Sequence, residues 1–144
     1  TGDPGDLVEA VPTQDNGFQL FFLQPGAGVT RMEAFPSGAT GFTEMTPIPE
    51  LDGATSLRVV AGVAGGAVLA GTKGGDSPRG FAARVDDNGS VTAYYETSQD
   101  PEIADRRFDG PMVALRGESV VIGYTRNVGP DGSVETVELG CVAQ

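Results

Sequence analysis

Glycine and proline recur along the whole chain, and this punctuation limits the folds open to it. The 144 residues include 22 glycines and 10 prolines, which separate short apolar runs from one another. No segment between them carries a strong 3.6-residue apolar stripe, whereas short β-branched runs between turn signals are typical of strands. The sequence therefore predicts an all-β protein, with a single helical turn around residues 101–107, where Asp100-Pro101-Glu102 resembles a capped start.

About eleven strands are expected, and the turns between them favour an antiparallel meander. Asp87-Asn88-Gly89 and Pro130-Asp131-Gly132 tolerate the positive φ that tight hairpins require. Closely spaced hairpins leave no room for parallel crossovers. The predicted strands are Leu7–Val11, Phe18–Leu23, Val29–Phe35, Phe42–Thr46, Leu57–Ala61, Ala67–Thr72, Phe81–Val85, Val91–Glu96, Met112–Leu115, Val120–Thr125 and Val134–Val142.

The strands group into repeats. Val68–Lys73 is similar to Val121–Arg126 at an offset of 53 residues, and a more diverged copy begins near Leu7. A four-stranded unit of this length has the size of a propeller blade. A β-sandwich is the alternative, but sandwiches do not usually repeat internally. We divide the chain into a flexible lead-in, residues 1–6, and one all-β domain, residues 7–144, with blade-like repeats at about 7–50, 55–99 and 108–144.

Two apolar strands and two G-S-V turns carry a resemblance to a known family. Val68–Thr72 and Val121–Thr125, together with the turns Asn88–Val91 and Asp131–Val134, resemble the repeats of bacterial extracellular β-propeller proteins. The resemblance covers about residues 57–140 and implies a fold and a secreted or surface binding role, not a chemistry. Rings need about four to eight blades. We therefore expect part of a larger or oligomeric propeller, completed by another polypeptide chain or by a second copy.

Composition excludes several function classes. The net charge of −11 disfavours nucleic acid and anionic lipid as partners. Apolar runs are too short for membrane insertion. Histidine is absent and Cys141 is the only cysteine, so Ser-His-Asp, Cys-His, His-ligated zinc and CxxC sites cannot be built from this chain alone. We predict no cofactor and no metal. Scarce lysine, abundant glycine, aspartate and threonine, and the resemblance favour an extracellular, cell-surface or periplasmic location.

The segment between the second and third repeats has the densest charge and is the predicted binding site. Loops on a rigid β scaffold are where function usually lies, although a solvated connection with internal ion pairs has the same composition. The site consists of Asp100, Glu102, Asp105, Arg106, Arg107 and Asp109.

Three further features have both a structural and a functional interpretation. Asp86-Asp87-Asn88 is rich in oxygen donors but lacks calcium-loop spacing, which favours a β-turn. Cys141 lies in an apolar run and is either a buried thiol or, in a secreted protein, an interchain thiol. Phe21-Phe22 and Tyr94-Tyr95 each place one ring on either face of a strand, so that one ring enters the core and the other faces a partner.

Taken together, these features predict a non-catalytic binding or structural module, an assembly or adhesion unit that recognises partners through surfaces and loops. The alternative is a subunit of a processed secreted enzyme, a carboxylate-based hydrolase whose site is completed by another chain.

Overall fold

The computed structural model describes residues 5–35, 43–74, 78–99, 109–116, 119–126 and 133–139, and for 109–112, 124–126 and 133–139 it describes the backbone alone. These residues form eleven strands and two 3-10 helical turns, and every pairing between strands is antiparallel. The predicted all-β class is confirmed.

The first sheet follows chain order, β1-β2-β3-β4. Its strands are β1 (Asp6–Pro12), β2 (Phe18–Gln24), β3 (Gly28–Ala34) and β4 (Thr46–Pro47), and a 3-10 turn follows at Pro49–Leu51.

The fourth strand is shorter than the predicted Phe42–Thr46. Residues 43–45 are not in a strand, Phe42 lies outside the described residues, and β4 pairs only with Thr30 and Arg31 of β3. Pro47 has no backbone N–H to extend the ladder, which limits this edge strand to one or two pairs.

The second sheet repeats the same order, β5-β6-β7-β8. Its strands are β5 (Ala54–Ala61), β6 (Ala67–Lys73), β7 (Arg79–Val85) and β8 (Val91–Glu96), and a second 3-10 turn spans Thr97–Gln99. The predicted hairpin turn at Asp87-Asn88-Gly89 joins β7 to β8, and Gly89 has a φ of 86°, in the left-handed region that glycine adopts without strain.

The third sheet has three strands, with β10 in the middle. They are β9 (Asp109–Arg116), β10 (Ser119–Arg126) and β11 (Ser133–Leu139). Strand β11 is described as far as Leu139, and the rest of the strand predicted to run to Val142 lies outside the described part of the chain. The predicted helical turn at 101–107 and the turn at Pro130-Asp131-Gly132 also lie outside it.

The second sheet is buried on both faces. Side chains alternate between faces along a strand, so odd and even positions of β6 meet different neighbours. Leu69 and Phe81 pack with Phe21 and Val29 of the first sheet. On the opposite face, the second sheet packs against the third, in a cluster made up of Val60, Val68, Ala70, Ala82, Val113, Leu115, Val120 and Ile122.

The molecule is thus a stack of three antiparallel sheets in chain order. The first strand of each sheet lies near the first strand of the next, since β5 contacts both β1 and β9. Within the described ranges, the stack does not close into a barrel or a ring.

Candidate interaction surface

A buried polar cluster joins the first sheet to the β7–β8 turn of the second. Gln19 is fully buried, and its Nε2 donates to the Asp86 carbonyl at 2.9 Å. The Nε of Arg31 donates to Gln19 Oε1 at 2.8 Å, and its Nη2 contacts both Glu33 and the Asp87 carbonyl. Buried polar groups are costly unless they are paired, so these bonds fix how the two sheets face each other.

The aspartates of this turn are engaged with backbone amides. One oxygen of Asp86 accepts the amides of Asn88 and Ser90 at 2.9 and 2.8 Å, and Asp87 accepts the amide of Gly66 at 2.7 Å. This geometry is that of a turn stabilised by aspartate side chains. The β-turn interpretation of Asp86-Asp87-Asn88 is confirmed, and no group of three or more metal ligands is found where the chain is described.

A second polar cluster lies at the other end of the same inter-sheet contact. Lys73, the sole lysine of the chain, places its Nζ 3.6 Å from Glu96 and 5.0 Å from the centre of the Tyr94 ring. The Tyr94 hydroxyl donates to Glu96 at 3.1 Å. Burial, and then the nearby Glu96 carboxylate, raise the pKa of Tyr94 well above its ordinary value. The phenol therefore stays protonated, which suits a structural hydrogen bond and not a catalytic base.

The predicted charged loop lies outside the described residues, except for the backbone of Asp109. Asp109 opens β9 and its backbone pairs with Thr125, but its side chain is outside the described part. The remaining members of the loop, and Cys141, also lie outside it: Asp100, Glu102, Asp105, Arg106 and Arg107.

One face of the first sheet points away from the second sheet and exposes apolar side chains. We call it the outer face. Leu7 and Phe18 are 56% and 44% exposed there, and the residues paired beside them are partly buried at most. None of its members belongs to either hydrophobic cluster of the described residues. The outer face consists of Leu7, Ala10, Phe18, Leu20, Phe22, Met32 and Ala34, with Thr30 and Gln24 at one end.

Charged residues are confined to the opposite side of this sheet. Throughout β1–β3, which the structure describes completely, each acidic or basic residue pairs with a residue of the inner face: Asp6 with Leu23, Glu9 and Arg31 with Phe21, and Glu33 with Gln19. The outer face is therefore free of charge in a chain of net charge −11. Contiguous exposed apolar surface of this kind marks interaction sites.

Adjacent phenylalanines of β2 separate the two faces. Phe21 is completely buried in the first core, as predicted for one ring of the Phe21-Phe22 pair. Phe22 lies on the outer face and is only half-buried. Its expected contact with a partner stays a prediction.

No family model, curated protein or solved structure matches this chain. The resemblance to extracellular propeller repeats accordingly stays a prediction. Among the described residues, no helix has the length and apolar character needed to span a bilayer.

Sequence reasoning missed the outer face as a site. The signal was present in β2, where Phe18, Leu20 and Phe22 recur with the two-residue period of one strand face. Without the structure, that face is the natural choice for the core, because the other face carries Gln19.

Proposed function

We propose that this chain is a non-catalytic binding or structural module, an assembly or adhesion unit built from propeller-like blades and working outside the cytoplasm. In this proposal each sheet is one blade, and the chain supplies part of a larger or oligomeric propeller. The partner is a further β-sheet, from another polypeptide chain or from a second copy.

The observation that carries the proposal is the contrast between the first and second sheets. The second sheet has both faces covered, whereas the first has one face covered and the other apolar, uncharged and exposed through Leu7 and Phe18. Burial of apolar area is the main driving force of protein association. Stacked meanders whose first strands lie side by side also agree with how neighbouring blades pack.

Four of the described carboxylates have structural contacts, which the hydrolase alternative does not require. Asp86 and Asp87 hold backbone amides, and Glu33 and Glu96 pair with Arg31 and Lys73. Recognition through surfaces requires no covalent chemistry, which agrees with these structural roles.

The test is the mass of the native assembly. The tagged full chain is expressed in its natural source, recovered under non-denaturing conditions and weighed by native mass spectrometry. We expect complexes heavier than the 14.8 kDa chain, lost in Phe18→Asp and retained in Val63→Asp. Val63 is 65% exposed in the β5–β6 connection and is the matched control. Single chains throughout, or equal behaviour of the two variants, would refute the proposal, and glycoside turnover by the chain would favour the hydrolase.

A further inference from the structure

The ladders of the first two sheets place the outer face in register with a buried one. The first hairpin closes with Pro12 opposite Phe18 in one sheet and with Ala61 opposite Ala67 in the other. Counting along the second strand from these pairs, Leu20 takes the position of Leu69. The same counting gives the further correspondences Leu7 with Leu57, Ala10 with Val59, Met32 with Ala83 and Ala34 with Val85.

All these counterparts in the second sheet are covered by the first sheet. Leu69, Ala83 and Val85 are at most 3% exposed and belong to the cluster that joins the two sheets. The outer face therefore occupies ladder positions that, one sheet later, receive a preceding sheet. We call a face at these positions a receiving face.

The covering faces correspond through the 53-residue offset of the repeats, which places Val121 at the position of Val68, because the hairpin of the third sheet is shorter and closes with Arg116 opposite Ser119. The second sheet covers the third with Val60 and Val68, which lie opposite each other. The matching pair in the third sheet is Ala114 opposite Val121, where Ala114 is exposed and Val121 half-buried. The third sheet thus carries a covering face, around Ala114 and Val121, with no described sheet beyond it.

A second copy of the chain satisfies both faces at once. Each copy offers one receiving face and one covering face, so two copies placed head to tail make two identical contacts, which close on themselves. Three strands of seven residues span about 23 Å by 14 Å, or roughly 300 Å² of flat sheet. One such contact is well below the roughly 800 Å² per partner of a stable complex, but two contacts approach it.

Charge supports contact at this place. Two chains of net charge −11 repel each other, and that repulsion is smallest where neither surface carries like charges close together. The outer face has no charged ladder position, so the charged ladder positions on the covering side of the third sheet, Arg116, Glu138 and Asp109, meet no like charge there.

We infer that two copies of this chain associate head to tail, the outer face of each first sheet packing on the Ala114–Val121 face of the partner's third sheet. The six sheets that result fall within the blade number of closed rings. The inference rests on the proposed function and names its partner.

The experiment uses the purified full chain alone, in sedimentation equilibrium. We expect twice the mass of one chain for the unaltered protein and for Val63→Asp. Phe18→Asp and Ala114→Arg each place an unpaired charge in both contacts, and each should raise the dissociation constant at least about 100-fold. Circular dichroism and thermal unfolding check that both variants remain folded.

Mixing the two variants separates head-to-tail from face-to-face association. In a mixed pair the aspartate and the arginine fall in one contact, where their opposite charges attract, and the other contact is unaltered. The mixture should therefore associate more tightly than either variant alone. An unaltered Ala114→Arg dimer, or a mixture no tighter than its components, would overturn head-to-tail pairing.

A monomeric purified chain would also overturn the second copy as partner. If the native assembly is then still heavier than one chain and still sensitive to Phe18→Asp, the proposed function survives with a different polypeptide as partner. If the native protein is a single chain as well, both proposals fail.

Discussion

Two turn glycines with nearly equal backbone angles allow the buried polar cluster to be measured. Gly26 and Gly89 have φ values of 82° and 86°. A Cβ added at Gly26 would meet nothing within 4 Å. A Cβ added at Gly89 would lie 2.7 Å from Arg31 Nε and nearer still to its Nη1. Alanine at either position therefore pays the same backbone strain, and only Gly89→Ala also displaces the guanidinium.

The expected costs follow from these contacts. A non-glycine residue in the left-handed region costs about 1–2 kcal/mol, partly offset by the lower entropy of the unfolded chain, so Gly26→Ala should lose about 1 kcal/mol. Displacing Arg31 also breaks its charged hydrogen bond to the fully buried Gln19, worth about 1.5–3 kcal/mol. Gly89→Ala should therefore lose about 2.5–4 kcal/mol in total.

The assay is urea unfolding, with stability read from the midpoint at constant slope. Arg31→Met, made both in the unaltered chain and together with Gly89→Ala, completes a double-mutant cycle. Once Arg31 is removed, Gly89→Ala should cost only its backbone strain, which gives a coupling of about 2 kcal/mol. Equal losses for Gly26→Ala and Gly89→Ala, or a coupling near zero, would show that the guanidinium does not hold the turn.

Three further predictions concern single side chains. Because burial and Glu96 raise the pKa of Tyr94 in the folded protein, the unfolded chain releases the phenolic proton at a lower pH. The free energy of unfolding should therefore fall as the pH rises above about 10, and it should fall less steeply in Tyr94→Phe. Urea unfolding at several pH values measures the difference. Thr97→Val removes the fully buried hydroxyl that accepts a strand amide at 3.0 Å and should cost about 1–3 kcal/mol by thermal unfolding. In the dissociated chain, Phe21→Ala should lower the free energy of unfolding by about 3–5 kcal/mol and Phe18→Ala by under about 1 kcal/mol. The reason is that Phe21 is fully buried, whereas Phe18 is 44% exposed. Equal losses of stability would contradict the assignment of the two faces.

The strands were predictable because glycine and proline act locally. Turn residues impose their backbone angles whatever surrounds them, so the hairpin at Asp87-Asn88-Gly89 is confirmed from its sequence. The shortness of β4 was not predictable, because it depends on where the chain after β3 returns to the sheet. Pairing between sheets was not predictable either: the contact of Gln19 and Arg31 with the β7–β8 turn joins residues more than fifty positions apart.

The two faces of β2 show why the site escaped sequence analysis. Alternation places Phe18, Leu20 and Phe22 on one face and Gln19 on the other, and the usual expectation would bury the phenylalanines and expose the glutamine. In the structure Phe18 is 44% exposed, whereas Gln19 is fully buried. Gln19 accepts from Arg31 and donates to a main-chain carbonyl, so its burial leaves no polar atom unpaired.

Strand β6 indicates what this reversal means. Its residues are buried at six consecutive positions because sheets cover it on both sides, and its sequence lacks the polar alternation of a half-exposed strand. β2 lacks that alternation too, with five of its seven residues apolar, although only one of its faces is covered. A register shift of one residue would exchange the two faces of β2, but it would also separate Gln19 and Arg31 from their hydrogen-bond partners. The sequence of β2 is thus that of a strand buried on both sides, which is what the proposed sheet contact requires of its uncovered face.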